Sequence, residues 1–157
     1  MSSIFARTAA VAALVALAAA CIGCSQSGEF SAALGEHLHK NHPLEVDLAT
    51  VQPTAAWDEL FIFGPYSIRE QSCRTLGLGG LECRLTMPAQ VSEGEHLLVF
   101  RLAGRVQRTE RHARLNGDFH GHPQPVARST ARFAVVPTPD LLPDGRRWWR
   151  LEHKPQS

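Results

Sequence analysis

Trp57-Asp58-Glu59-Leu60-Phe61-Ile62-Phe63-Gly64-Pro65-Tyr66-Ser67-Ile68-Arg69-Glu70 is the stretch whose reading decides the fold. Side chains alternate along a strand, so Leu60 and Ile62 face one way and Phe61 and Phe63 the other. A strand apolar on both faces belongs in the middle of a sheet with cover on each side. Gly64-Pro65 ends it, because proline has no N–H for the ladder. Ser67 followed three residues later by Glu70 has the spacing of a capping box, in which the hydroxyl takes an orphan amide and the carboxylate reaches back. That predicts a helix from about Ile68 to Leu76, with Gly77 as its C-terminal stop. The unit reads as strand, tight turn, helix.

Upstream, Ser31 to Asn41 predicts a weaker helix. Leu34 and Leu38 stand four apart, Gly35 weakens the segment, and His42-Pro43 stops it. Leu44 to Val51 alternates, with Leu44, Val46 and Leu48 on one side and Glu45 and Asp47 on the other, which predicts a strand with one buried face. Gln52-Pro53-Thr54 breaks it.

Further upstream, residues 1–20 read as an export signal. Arg7 supplies a positive start, and Thr8 to Ala20 is an uncharged apolar run too short to span a bilayer. Ala18-Ala19-Ala20 before Cys21 resembles a bacterial lipobox, in which the cysteine is acylated after the leader is removed. The position three before the cysteine, usually Leu, is Ala18 here. Cys24 is the rival anchor. Its corresponding position is Cys21, a poorer fit, although anchoring at Cys24 would leave an even pair of cysteines behind. Cys21 is the preferred reading. Acyl chains hold a protein at the membrane by about 0.8 kcal/mol per buried methylene. No Asp follows either cysteine, which by resemblance to Gram-negative sorting implies the outer membrane, facing the periplasm. Residues 21–30 then form a tether, and residues 31–157 a single domain.

Downstream, Cys73 and Cys83 are expected to pair, since a disulfide is the default in an exported chain. Ser92-Glu93-Gly94 is a turn. His96 to Leu102 reads as a strand that returns antiparallel through Ala103-Gly104 over Val106 to Ala113. Residues 115–128 read as a long loop, Ala131 to Val136 as a strand, Pro137 to Gly145 as a second loop, and Arg146 to Glu152 as the last strand. Adjacent Trp148 and Trp149 must face opposite ways. The sum is an α+β domain: a largely antiparallel sheet of about five strands, one helix after the central strand, and the weaker N-terminal helix.

The composition is that of a globular domain, with 44% hydrophobic and 20% charged residues. The formal charge of +1 hides a split. Residues 21–100 carry four Lys/Arg and ten Asp/Glu, whereas residues 101–157 carry eleven and five. No charge excess of the kind that binds nucleic acid is present. Arg105, Arg108, Arg111 and Arg114 recur at every third position. They read either as a surface for anionic headgroups or glycan carboxylates, or as a solvated face that complements the acidic half.

The string Trp57-Asp58, four residues, Phe63-Gly64-Pro65-Tyr66-Ser67, with Leu98-Val99-Phe100 and Val106 later, resembles a small, uncharacterised family of exported bacterial proteins, often lipoproteins. The resemblance covers about residues 44–112. It implies no activity; the envelope location, with an envelope protein as partner, is the reading of the leader and its cysteine.

Three sets of residues offer chemistry. Trp57, Asp58 and Tyr66 would make a small ligand pocket, or a structural knot in which Asp58 caps a turn or receives the Trp57 or Tyr66 donor. Asp118, His120 and His122, with His112 a further contributor, have a His-x-His spacing that suits a metal, although Gly121 and Pro123 point to a plain loop. Tyr66, Asp58 and His96 would make an acid–base set, but no spacing demands it, and no nucleophile elbow, zinc-protease or phosphate-loop motif is present. No motif calls for a cofactor. The reading is a lipid-anchored envelope protein acting as a structural or interaction module, with a periplasmic ligand- or metal-binding lipoprotein as the alternative.

Overall fold

A computed structural model describes residues 28–52 and 55–154. The leader, both candidate anchor cysteines and most of the tether lie outside the described residues. In chain order the elements are α1 (Glu29–Asn41), β1 (Glu45–Asp47), α2 (Leu48–Val51), β2 (Glu59–Phe63), α3 (Arg69–Leu76), α4 (Gly80–Thr86), β3 (Glu95–Leu102), β4 (Arg105–Ala113), β5 (Asp118–His120), β6 (Val126–Ala127), β7 (Arg132–Leu141) and β8 (Arg147–His153). The strands form two four-stranded sheets, ordered β4-β3-β2-β6 (the central sheet) and β1-β7-β8-β5 (the outer sheet). All pairings are antiparallel except β5 with β8.

The apolar quartet of β2 organises this arrangement as its pattern requires. Leu60 and Ile62 join Leu98 and Phe100 of β3 in a core shared with α1 and the outer sheet, including Phe30, Phe133 and Leu151. Phe61 and Phe63 join Leu97 and Val99 in a second core beneath α3 and α4, with Cys73, Leu76, Cys83 and Met87. The central sheet is therefore covered on both faces. Each large apolar side chain so buried contributes about 1.5–3 kcal/mol. Cys73 and Cys83 form a disulfide between α3 and α4. Gly77 closes α3 in the left-handed region, with φ 68°.

One sheet of about five strands becomes two of four, because the segment expected as one long loop supplies a strand to each. Asp118–His120 extends the outer sheet alongside β8, and Val126–Ala127 extends the central sheet alongside β2. Strands of three and two residues carry no readable periodicity. The segment from Pro137, expected as a loop, continues β7 to Leu141. β1 covers Arg132 to Ala134 and the Leu44 carbonyl takes Val135 N, so beyond that point β7 is an edge, where proline is tolerated.

Three local expectations are corrected. The strand expected over Leu44–Val51 stops at Asp47, whose carboxylate accepts from Ala49 N at 2.9 Å and starts the single turn of α2. Leu44, expected on the buried side, is 89% exposed. The capping box is absent. α3 starts with Ile68 as its N-cap and no side-chain cap, because the chain before it is extended and paired with residues 89–91. Tyr66 N donates to Val91 O at 2.9 Å, and Arg69 N to Ala89 O at 3.0 Å. A further helix, α4, starts at Gly80 in the Gly-rich connector and runs past Cys83 to Thr86, which was not expected.

Gly35, which weakened the α1 reading, has a packing reason. A Cβ there would lie 2.4 Å from Asn116 Oδ1, so the glycine lets the turn before β5 press against the helix. The start of α1 is fixed from another strand: Glu110 Oε1 of β4 accepts from Ser31 N at 2.7 Å. A carboxylate here satisfies an orphan amide and suits the positive end of the helix.

Candidate functional site

The most concentrated polar chemistry among the described residues surrounds Asp118. Alternation along β5 turns Phe119 inward, where it packs on His96, His112 and Phe133. Asp118 and His120 lie on the other side of the strand. Asp118 is buried, at 4% exposure. His96 Nε2 donates to its Oδ1 at 2.9 Å, and Arg114 grips both oxygens, Nε to Oδ1 at 2.8 Å and Nη2 to Oδ2 at 2.7 Å. His120 Nε2 adds a bond to Oδ2 at 3.1 Å. Phe119 N lies 3.4 Å from the same His96 nitrogen. That nitrogen carries its hydrogen toward the carboxylate, so it does not also accept from Phe119.

Burial works to raise the Asp118 carboxyl, and the bonds from His96, Arg114 and His120 more than reverse this, holding it well below the usual carboxylate range. The same pairing raises the Arg114 guanidinium. His112, cross-strand neighbour of His96, is fully buried. Its Nε2–H donates to Gly117 O at 2.7 Å, and burial pushes it down to about 4, so the ring is neutral. Its buried Nδ1 has no partner, which costs least as a bare lone pair.

The metal set is brought together only in part. Asp118 and His120 touch, but the carboxylate is occupied by a bidentate guanidinium, and His122 Nδ1 is directed to Pro123 O at 3.2 Å. Burial lowers His122, and His112 is committed to Gly117. No cluster of three or more His, Cys, Asp or Glu groups suited to a metal is present among the described residues.

The Trp57, Asp58 and Tyr66 set is divided between the two ends of β2. Trp57 is 3% exposed, edge-on to Phe100, with the Arg128 guanidinium 4.8 Å from its ring centroid. Asp58 Oδ2 accepts from Ala103 N at 2.8 Å, so it caps the β3–β4 turn, one of the roles its sequence position suggested. Ala103 and Gly104 both have positive φ there, as a tight two-residue hairpin turn requires. Tyr66 stands at the far end, 58% exposed, where partial desolvation and Glu93 raise its hydroxyl. Its backbone, at φ 65°, carries the turn into α3. His96, facing Asp118, is equally removed from any set with Asp58.

Beside Asp118 a cleft of about 430 Å³ opens on the solvent side of the outer sheet. Arg114, Asp118 and His120 form one wall, and Thr138, Asp140 and Leu141 of β7 the other. Trp148 and Arg150 of β8 lie between them. The volume is within the roughly 300–1,000 Å³ range of ligand clefts. Comparison with protein-family models, with curated proteins and with solved structures finds no match. The cleft's chemistry is that of its own side chains.

Trp148 reaches the cleft because Trp149 does not. Trp149 is 6% exposed in the core and donates Nε1–H to His39 Nδ1 at 3.3 Å, while Trp148 turns outward. The alternation was readable in the adjacent pair of tryptophans. The cleft itself was not, because β5 joins the antiparallel β7–β8 pair only through a parallel pairing made across a loop. His96 as a partner of Asp118 had no signal in spacing, and the four-residue separation of Arg114 from Asp118 fell in a segment read as a loop, where that spacing carries no meaning.

Proposed function

We propose that this chain is a lipid-anchored protein of the bacterial cell envelope, whose domain is an interaction module held close to the outer membrane on its periplasmic side. The observation that carries this is the Cys73–Cys83 disulfide, a bond that belongs to oxidising compartments. It agrees with the export signal and lipobox-like residues before Cys21. No helix among the described residues is long and apolar enough to cross a membrane. In this reading acyl chains on Cys21 hold the protein at the surface.

The described domain begins at Gly28, whose N–H is fixed to Arg111 O at 3.0 Å. Six residues lie between Cys21 and Gly28, and the seven steps from one Cα to the other span at most about 25 Å fully extended. The module would therefore ride next to the headgroups. The motif Trp57-Asp58 to Ser67 folds as a strand and turn leading into a helix. We place the chain with the exported proteins that share this motif.

Metabolic labelling with a fatty-acid probe tests the reading. Label should enter the wild-type chain and be lost in Cys21→Ala but not in Cys24→Ala. Label lost only in Cys24→Ala moves the anchor. No label in the wild type ends the lipoprotein reading.

A further inference from the structure

We propose that the cleft between β5 and β7 binds an uncharged saccharide, with Trp148 as the platform for a pyranose ring. The charges around the cleft select the class. Arg114 is paired with Asp118 at 2.7 Å, and Arg150 Nη2 with Glu152 at 2.7 Å. Both guanidiniums are thus neutralised. Asp140 adds a carboxylate on the opposite wall. An anionic ligand would meet the Asp140 carboxylate and no uncompensated cation. A cationic ligand would find the Trp148 ring already faced by the Arg114 guanidinium, 5.7 Å from its centroid.

What remains is a neutral ligand rich in hydrogen-bonding groups. The cleft offers both donors and acceptors to such a ligand. The Asp140 carboxylate accepts from hydroxyls, and the planar Arg150 group donates. Arg150 Nε is a buried donor with no partner in the fold. The His120 ring, 48% exposed, lies within reach of the same space. The indole supplies an apolar face for the C–H side of a sugar ring. Leu141, 64% exposed at the rim, gives an apolar spot for an acetamido methyl. An aromatic plate with flanking planar polar groups and an adjoining apolar contact fits an N-acetylated hexosamine unit best.

The test titrates tri-N-acetylchitotriose into the full chain, purified in a detergent without a sugar headgroup, and reads tryptophan fluorescence and calorimetric heat. Saturable binding is expected, weakened about tenfold or more in Trp148→Ala and in Asp140→Ala, and largely kept in Trp148→Phe, a tenfold change being about 1.4 kcal/mol. Both positions lie on the open side of the sheet, so the midpoint of thermal unfolding should stay close to that of the wild type, which separates lost binding from lost folding. Cellotriose, which lacks the acetamido groups, should bind more weakly. No saturable signal with either trisaccharide overturns the proposal. So does binding unchanged in a folded Trp148→Ala, or tighter binding of inorganic phosphate or choline than of chitotriose.

Discussion

His96 on β3 and Asp118 on β5 are joined by a buried hydrogen bond of 2.9 Å, and through it the central sheet is tied to the outer sheet. Arg114 holds the same carboxylate from the chain just before β5. The three groups stabilise one another only as a set. Removing the acid leaves a guanidinium that is 28% exposed and a histidine that is 4% exposed, both without their partner. Asp118→Ala is therefore expected to lower the free energy of unfolding by about 3–5 kcal/mol, the range for a broken buried ion pair. Asp118→Asn keeps one acceptor and should lose less. Urea unfolding followed by tryptophan fluorescence checks both. A loss under about 1 kcal/mol for Asp118→Ala would show that the network contributes no net stability.

His112 sets a pH limit on the fold. Its ring is held down to about 4 in the folded protein, chiefly by burial, against 6.5 in the unfolded chain. Between these values the unfolded state binds a proton that the folded state refuses. The stability contribution is thus fully present above pH 6.5 and declines as pH falls toward 4, by a total of about 3 kcal/mol. Asp118 acts in the same direction at lower pH, since its depressed carboxyl stabilises the fold above the ordinary carboxylate range and that support is lost on acidification. Unfolding free energies measured from pH 7.5 to 4 should show the decline. His112→Gln, which has no titration in this window, should flatten it even if its stability at pH 7.5 is lower.

The Cys73–Cys83 bridge closes a short loop, with a sequence separation of 10, between two helices that cover one face of the central sheet. Loop-closure entropy for that length gives about 2–3 kcal/mol. Both cysteines are buried in the core with Phe61 and Phe63, so reduction alone should weaken the fold without removing that packing. The paired substitution Cys73→Ala with Cys83→Ala should lose the cross-link and some contact area. Limited proteolysis should then cut first in the α3–α4 region. Unchanged protection there would mean that packing alone holds the two helices.

The parts of the fold that were legible in the sequence share a cause. β2, the β3–β4 hairpin and the stop at Gly77 are each specified by a local pattern: a quartet apolar on both faces, an Ala-Gly turn, a glycine at a left-handed cap. What was not legible depends on partners distant in the chain. Asp47 starts α2 only because β1 ends where Leu48 is drawn into the core. Ser67 fails as a cap because residues 89–91 take the backbone groups first. The candidate site follows the same rule. His120 and Asp118 stood out as a cluster, while Trp148 and Arg150 join them through pairing across the outer sheet, which no spacing encodes.

Gln124 completes the central sheet with a side chain in place of a strand. β6 pairs with β2 only at Glu59 and Leu60. Beyond that point Ile62, 1% exposed, would have no partner on that edge. The Gln124 amide supplies both: Ile62 N donates to its Oε1 at 3.2 Å, and its Nε2–H donates to Ile62 O. One primary amide thus reproduces the donor and acceptor of a backbone peptide. Gln124→Ala should leave two buried backbone groups open, at a cost of about 1–3 kcal/mol. Gln124→Glu keeps the acceptor and replaces the donor with a second oxygen facing the Ile62 carbonyl, so it should be no better than alanine at neutral pH. Amide hydrogen exchange at Ile62 gives the local readout. It should accelerate in Gln124→Ala well beyond Leu60, whose pairing with Val126 is intact, whereas equal acceleration at both would mean that β6 itself had detached.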